Sequence, residues 1–335
     1  MSSDGHAAMR VFVAGATGAV GRRLVPLLVS RGHFVAGMTR SPEKADAVRA
    51  MGAEPVVADA LDRDAVVEAV ARTRPDAVVH QLTALTEIKS FRRFDRDFAV
   101  TNRLRTEGAD HLLEAALAAG ARRFVAQSYG NWSYERSGDG LKTEEDPFDP
   151  SPPADQSRTL DAIRHLERAV AEAPGIDGIA LRYGNFYGPG TGLAADGNLV
   201  ALVRKRRLPI VGDGGGVWSF VHVDDVATAT TAALERGAPG VYNVADDEPA
   251  PVSEWLPELA RAVGAEPPRR VPAWLGRVAA GEVGVSMMTA IRGASNAKAK
   301  RELGWQPRYS SWREGFRTGL AESPPGARAS VESPP

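Results

Sequence analysis

Residues Arg10 to Leu28, RVFVAGATGAVGRRLVPLL, constrain the chain more than any other stretch. A short apolar run leads into three glycines, Gly15, Gly18 and Gly21, and an amphipathic pattern follows. That order predicts a strand, a phosphate-binding turn and a helix. Gly15 allows a sharp turn off the strand, Gly18 lets backbone approach a pyrophosphate, and Gly21 lets the helix pack close to the sheet. The helix then begins at the anion, where its free N–H groups and dipole favour negative charge. The spacing is G-x-x-G-x-x-G rather than G-x-G-x-x-G, a weak signal on its own. A second apolar run at His33–Met38 completes a βαβ unit and supplies the missing context.

The alternation continues. Helix is expected over Ser41–Met51, strand over Glu54–Ala58, helix over Asp64–Thr73 and strand over Ala77–His80. A long helical pattern fills Phe94–Ala119, with a fifth strand at Arg123–Gln127 after it. Asn131–Ser157, rich in Gly, Pro, Asp and Ser, predicts a loop, Thr159–Ala173 a helix and Gly178–Arg182 a sixth strand. Apolar strands alternating with helices imply an α/β fold, a doubly wound parallel sheet covered on both faces. Beyond a Gly-rich turn region at Tyr183–Gly197 the alternation lapses. A helix at Asn198–Arg206, strand then helix in VWSFVHVDDVATATTAALE, a strand at Val241–Val244, a helix at Val252–Val263 and two further helical stretches up to about Gly319 suggest a smaller, discontinuous substrate-side domain. The division expected is 9–182 with about 217–246 for the nucleotide-binding domain, and 183–216 with 247–320 for the substrate domain. Residues 1–8 and 321–335 are too polar to bury and are expected to be disordered.

Composition narrows the chemistry. The chain has no cysteine, which removes disulfides, thiolate metal sites and a cysteine nucleophile. Its six histidines show no metal-ligand spacing, so no metal site is expected. Lysine and arginine number 41 against 42 acidic residues, leaving no global field for nucleic acid or an anionic membrane. With neither a signal peptide nor a spanning segment in view, the chain is expected to be cytoplasmic.

Several landmarks then stand in order: GATGAVG, Asp59-Ala60, VVHQLTA, Asn102, RFVAQS, LRYGNFYGPG, FVHVDDVATA, VYNVADDEP and AKRELGWQPRYSSWREGF. Together they resemble the extended short-chain dehydrogenase/reductase family, the NAD(P)-dependent epimerases, dehydratases and reductases, from about Arg10 to Gly319. The resemblance implies a Rossmann domain with a small C-terminal substrate domain. It assigns Gly15, Thr17, Gly18, Ala19, Val20 and Gly21 to the pyrophosphate loop, and Asp59 with Ala60 to adenine. It places Ser128 on the substrate oxygen, Tyr183 at the nicotinamide and Asn185 at the substrate. The helices Arg103–Ala119 and Thr159–Ala173 correspond to a common two-fold interface, which implies a homodimer.

One departure stands out. The family's Tyr-x-x-x-Lys, in which lysine lowers the tyrosine pKa for proton exchange, is replaced by Thr159 and Ile163, and none of the six tyrosines is followed by lysine four residues later. Tyr129 either donates the proton in its place or packs as a half-buried ring. Lys142 is either a tuned lysine approaching the substrate or a solvated loop charge. Thr159 can only orient at neutral pH, and His165 suits packing or a dimer surface. Tyr187, His80 and His222 match structural positions. The catalytic set expected is Ser128, Tyr129 and Thr159, with Lys142, Asn185 and Trp218 on the substrate.

At the end of the second strand, where NAD sites carry a carboxylate, stand Met38-Thr39-Arg40-Ser41. Arg40 can clamp a 2′-phosphate, so NADP is expected over NAD. Trp218 stands where nucleotide-sugar enzymes of the family carry an arginine for the diphosphate, which points to a less charged, more apolar small-molecule substrate. The leading expectation is an NADP(H)-dependent reductase of a carbonyl or enone. The alternatives are a non-redox isomerase, dehydratase or cyclase on the same scaffold, and a catalytically silent NADP(H) sensor.

Overall fold

Seven short apolar strands lie side by side in parallel, because helical crossovers carry the chain back over the sheet between successive strands. They are β1 (Arg10–Ala14), β2 (Phe34–Thr39), β3 (Glu54–Val57), β4 (Ala77–His80), β5 (Arg123–Tyr129), β6 (Asp177–Tyr183) and a last strand at Gly240–Val244. In space they run Gly240–Val244, β6, β5, β4, β1, β2, β3. The chain winds outward from β1 to β3 and restarts on the other side of β1 with β4. The connections at the ends of β1 and β4 therefore diverge and open a crevice there. This is a computed structural model, and it describes residues 7–84, 91–138 and 140–322. The disorder expected of residues 1–8 and 321–335 falls almost wholly outside those ranges.

The helices of this half are α1 (Gly21–Ser30), α2 (Ala45–Ala50), α3 (Arg63–Thr73), α4 (Phe94–Asp97), α5 (Ala99–Arg105), α6 (Glu107–Ala118) and α7 (Ser157–Glu172). The strand pleat divides the core in two. Val11 and Val13 of β1 pack with Leu24, Val25 and Leu28 of α1 and with Val226 and Ala229 of the helix Val223–Arg236. Phe12 and Ala14 face the other way, onto Val66 and Val70 of α3 and Leu112 and Ala116 of α6. Phe12 is wholly buried, and its ring alone contributes about 2–3 kcal/mol of transfer free energy. A third cluster, around Phe220, Trp255, Leu256, Trp312 and Phe316, is the core of the substrate side.

The structure departs from the expected elements in three places. The helical pattern Phe94–Ala119 is broken into α4, α5 and α6 at Phe98 and Thr106. At Thr106 the hydroxyl donates back to the Asn102 carbonyl at 3.1 Å and the backbone leaves the helical region, a competition that threonine offers its own helix. Inside the expected turn region lies β7 (Asn185–Tyr187), paired in parallel with Phe220–His222. It is too short, between Gly184 and Gly188, to show a period. The two late helical stretches are three: Ala273–Thr289, kinked at Gly281, then Ala297–Glu302 and Trp312–Thr318. Among the described residues no helix is long and apolar enough to cross a membrane.

Candidate active site

The crevice is a cleft of about 1120 Å³. Its floor at one end is the glycine loop. Gly15 has φ +97°, and a Cβ there would stand 2.8 Å from the Gln81 carbonyl oxygen, so a side chain is excluded twice over. Gly18 closes the turn by donating to the Gly15 carbonyl at 3.1 Å. A Cβ on Gly18 would meet no protein atom nearer than 3.4 Å, so its bare face looks into the cleft, where backbone and phosphate can touch. Gly21 does different work: a Cβ there would fall 2.2 Å from the Gly15 oxygen, so it seats α1 on the loop and lies behind the cleft wall.

Gly15, Thr17, Gly18, Ala19 and Val20 line this end, with Arg40, Ser41 and Lys44 at its far corner and Asp59 and Ala60 beside them. No acidic residue stands in the first turn of α1. Arg40 is exposed, and the end of β2 presents no carboxylate. These residues fit a dinucleotide whose pyrophosphate rests on the loop.

At the strand ends, Tyr129 lies in the cleft and its hydroxyl donates to Asn185 Oδ1 at 2.8 Å, while Asn185 Nδ2 donates to the Ser219 carbonyl at 3.2 Å. Burial pushes the Tyr129 hydroxyl far above its usual range, which Asn131 and Arg105 beside it offset only in part. The phenol is a neutral, weak acid. Further on, Phe94, Trp132, Trp218, Trp255 and Met287 form an apolar wall. Trp218 is fixed by its indole N–H, which donates to the Met287 carbonyl at 2.8 Å.

Besides Gly21, four expected site residues lie outside the cleft lining. Ser128 precedes Tyr129 on the same strand and therefore faces the opposite side of the sheet. Its hydroxyl donates to Glu167 Oε1 at 2.5 Å, within a buried pair that Arg182 closes at 2.9 and 2.7 Å. Thr159 donates to Asp95 Oδ1 at 2.6 Å and accepts from Asn102 Nδ2 at 3.0 Å, while Ile163 is buried in the core. Asp95 also accepts from the Arg158 and Thr159 backbone N–H groups, so it caps α7 and makes Thr159 part of a structural clasp. Lys142 pairs with Asp146 at 3.3 Å, and its backbone ties to Gly293 and Ser295, outside the cleft lining. Tyr183 is buried beneath Gln81, whose Nε2 donates to it at 3.0 Å; Gln81, not Tyr183, faces the cleft.

Sequence reasoning missed Gln81, Arg105, Gln127 and Asn131, all of which line the cleft. Arg105 is buried at the end of α5, with its Nη1 unpartnered. Oε1 of Gln81 is likewise buried without a partner, and the Asn131 amide is buried beside the Tyr129 hydroxyl. The signal for Arg105 was present: α5 buries Thr101, Leu104 and Arg105, so Arg105 lies one turn after Thr101 on the inward face. Beneath it His80 donates through Nε2 to the Leu104 carbonyl at 3.0 Å and accepts the Leu82 N–H on Nδ1 at 3.2 Å. Burial pulls His80 down to about 4, the nearby Arg105 guanidinium adding to the effect, and burial pulls Arg105 to about 10. At neutral pH the histidine is uncharged and the arginine charged.

The remaining candidates are structural. His222 ties Asp224 to Gly319, Tyr187 packs under Gly315, and His165 lies beside Asp110 between α6 and α7. Among the described residues no cluster of three histidine or acidic side chains suits a metal ion.

Residues 11–245 match the model of the NAD dependent epimerase/dehydratase family. A 3-diazoavenalumate denitrifying reductase from a Streptomyces species is 48% identical over 315 residues, covering 92% of this chain and 99% of its own. A 2-alkyl-3-oxoalkanoate reductase from Stenotrophomonas maltophilia is 30% identical over 267 residues, covering 77% of this chain and 76% of its own. Among solved structures, a Thermus thermophilus UDP-glucose 4-epimerase in complex with NAD superposes with a TM-score of 0.70 at 28% identity, covering 93% of this chain and 98% of its own.

Proposed function

The chain belongs to the NAD-dependent epimerase/dehydratase family, and we propose that within it this protein is an NADPH-dependent reductase of a small, largely apolar electrophile. The observation that carries the reading is the combination at the strand ends: a cleft fitted for a dinucleotide opens onto an apolar wall, and Thr159 and Ile163, which the resemblance aligns with the family's acid–base pair, are held by Asp95 and by the core. When bound, the dinucleotide supplies a hydride. What the chain supplies is an apolar wall against which the substrate, the hydride acceptor, would lie, and one weak acid, Tyr129, nearby.

That arrangement suits an acceptor that needs no proton from the protein. A diazonium carbon is one: its C–H bond forms from the hydride as the C–N bond breaks, and the bonding pair leaves with N2. No side chain gives or takes a proton. The relative at 48% identity is named for a diazo substrate and for loss of nitrogen, which supports the same class here. A second reading, reduction of a carbonyl or enone, is favoured by the Tyr129–Asn185 hydrogen bond, since the phenol would protonate the developing oxyanion. NADPH is chosen over NADH on Arg40, Ser41 and Lys44. Assembly as a homodimer through α6 and α7 belongs to the same proposal.

Deuterium-labelled NADPH tests the chemistry. With 4-hydroxybenzenediazonium as probe, deuterium should enter the ring carbon with one N2 released per NADPH consumed, faster than any ketone of similar size is reduced. Tyr129→Phe should keep diazonium turnover within a few-fold. A loss of about a hundredfold or more would transfer the assignment to a carbonyl with Tyr129 as its acid. No NADPH consumption with either class sinks the reductase reading.

A further inference from the structure

We propose that Arg105 is the receptor for an acidic group on the substrate, and that the substrate is a flat, unsaturated carboxylic acid. The inference rests on the reading of the cleft as a reductase site and names what enters it. Arg105 is 3% exposed, and no carboxylate among the described residues accepts from its guanidinium. Its Nη1 is buried without any partner. Among the described residues, the ionisable groups that act on it are Tyr129, a neutral phenol, and His80, a neutral imidazole. Burying a guanidinium with no acceptor is strongly unfavourable, so among the described residues Arg105 is left for an acceptor that a ligand would bring. Arg105 lines the cleft that a ligand would enter.

Two anions could arrive there, the dinucleotide's phosphates or the substrate's own acid. The phosphates have their place at the bare face of Gly18 and at Arg40. Arg105 instead stands by Tyr129, which also has Asn131 beside it, and the Tyr129 ring centroid is 5.6 Å from that of Trp132 on the apolar wall. Asn131 adds an amide on the same side, beside the Tyr129 hydroxyl. A guanidinium fork and an amide N–H suit the planar oxygens of a carboxylate, and the wall beside them suits a conjugated or aryl body. The earlier expectation of a weakly charged substrate is thereby narrowed to one charge at one end.

The test is a binding experiment on the full chain saturated with NADP⁺, followed by the fluorescence of the cleft tryptophans Trp132, Trp218 and Trp255. The probes are trans-cinnamate and its methyl ester, which differ in charge and little in shape. Cinnamate should bind roughly tenfold or more tightly than the ester. Arg105→Met should bring the acid down to the ester's affinity, and Arg105→Lys should retain part of the preference. Neither variant should change NADPH affinity, and Arg105→Met should melt no lower than the wild type, because it removes an unpaired buried charge. Equal binding of acid and ester by the wild type, or a preference surviving in Arg105→Met, overturns the assignment. A Met variant that loses NADPH binding gives Arg105 to the cofactor, and one that melts lower gives it to the fold; either also overturns it. Because binding is read without turnover, an acid preference that persists while no electrophile is reduced would sink the reductase reading alone.

Discussion

His80 joins three pieces of the site through one uncharged ring: it ends β4, accepts from the Leu82 N–H and donates to the Leu104 carbonyl next to Arg105. Its folded pKa of about 4 lies below the ordinary 6.5, so the unfolded chain takes up a proton that the native state refuses. The stability this contributes is present above about pH 6.5 and is lost as pH falls towards 4, by about 3 kcal/mol in all. Asp225 works in the opposite sense. Burial pushes it up to about 6 while it accepts from the Arg308 and Tyr309 N–H groups, so its contribution is lost as pH rises from 3.8 to 6. The wild-type profile between pH 4 and 6 is flattened by this opposition. His80→Gln isolates one partner: the wild-type advantage over this variant in urea denaturation should shrink by about 3 kcal/mol between pH 7 and pH 4. A constant difference would mean that His80 does not carry the titration. At this scale the sequence was legible in part. Landmarks brought Ser128 and Tyr129 to a strand end, but the pleat decides which of two neighbours faces the ligand. An arginine such as Arg105 reads as surface charge until the helix it ends is known to bury that face.

The loop after β2 shows what an element adds to its residues. Thr39 Oγ1 accepts the Ser41 N–H at 3.3 Å and turns the chain, so that Arg40 and Lys44 both border the cleft corner. A 2′-phosphate there would meet the cations Arg40 and Lys44, while the Glu43 carboxylate is taken up by the Ser41 hydroxyl and Lys44. Titration should show NADPH binding at least about tenfold tighter than NADH, and Arg40→Asp should reverse the order by repelling the phosphate and accepting from a ribose hydroxyl. Equal affinities in the wild type would remove the NADP assignment. The place of Arg40 at the end of β2 was visible in the linear chain because the fingerprint fixes where the second strand must end. The start of α7 was not, since its cap comes from Asp95, more than sixty residues earlier, and no local pattern announces a cap borrowed from another helix. The break at Thr106 was hidden for a similar reason: its hydrophobic period runs on while the hydroxyl ends the helix.

Over the whole molecule, two sheet-side cores and a substrate-side core are joined across the cleft, and α6 and α7 remain on the outside. Their outer groove is lined by Arg103, Arg158, Asp161, Arg164, His165 and Arg168. Several of these charges are already paired, Arg103 with Glu107 at 2.7 Å, Arg164 with Asp161 at 3.0 Å and His165 with Asp110 at 2.9 Å. A two-fold partner on this face would bury charge more than apolar surface, so its association would rest on pairing between subunits and would weaken as salt shortens the screening length from about 10 Å at 0.1 M to about 3 Å at 1 M. Light scattering at micromolar protein should therefore find a dimer in low salt and a monomer in molar salt, with Arg158→Glu shifting the balance towards monomer. A monomer in low salt removes the dimer. A dimer indifferent to salt moves the interface to the helix Ala273–Thr289, where Trp274 and Val278 are 65% and 63% exposed, because an apolar contact is strengthened rather than screened when salt is added.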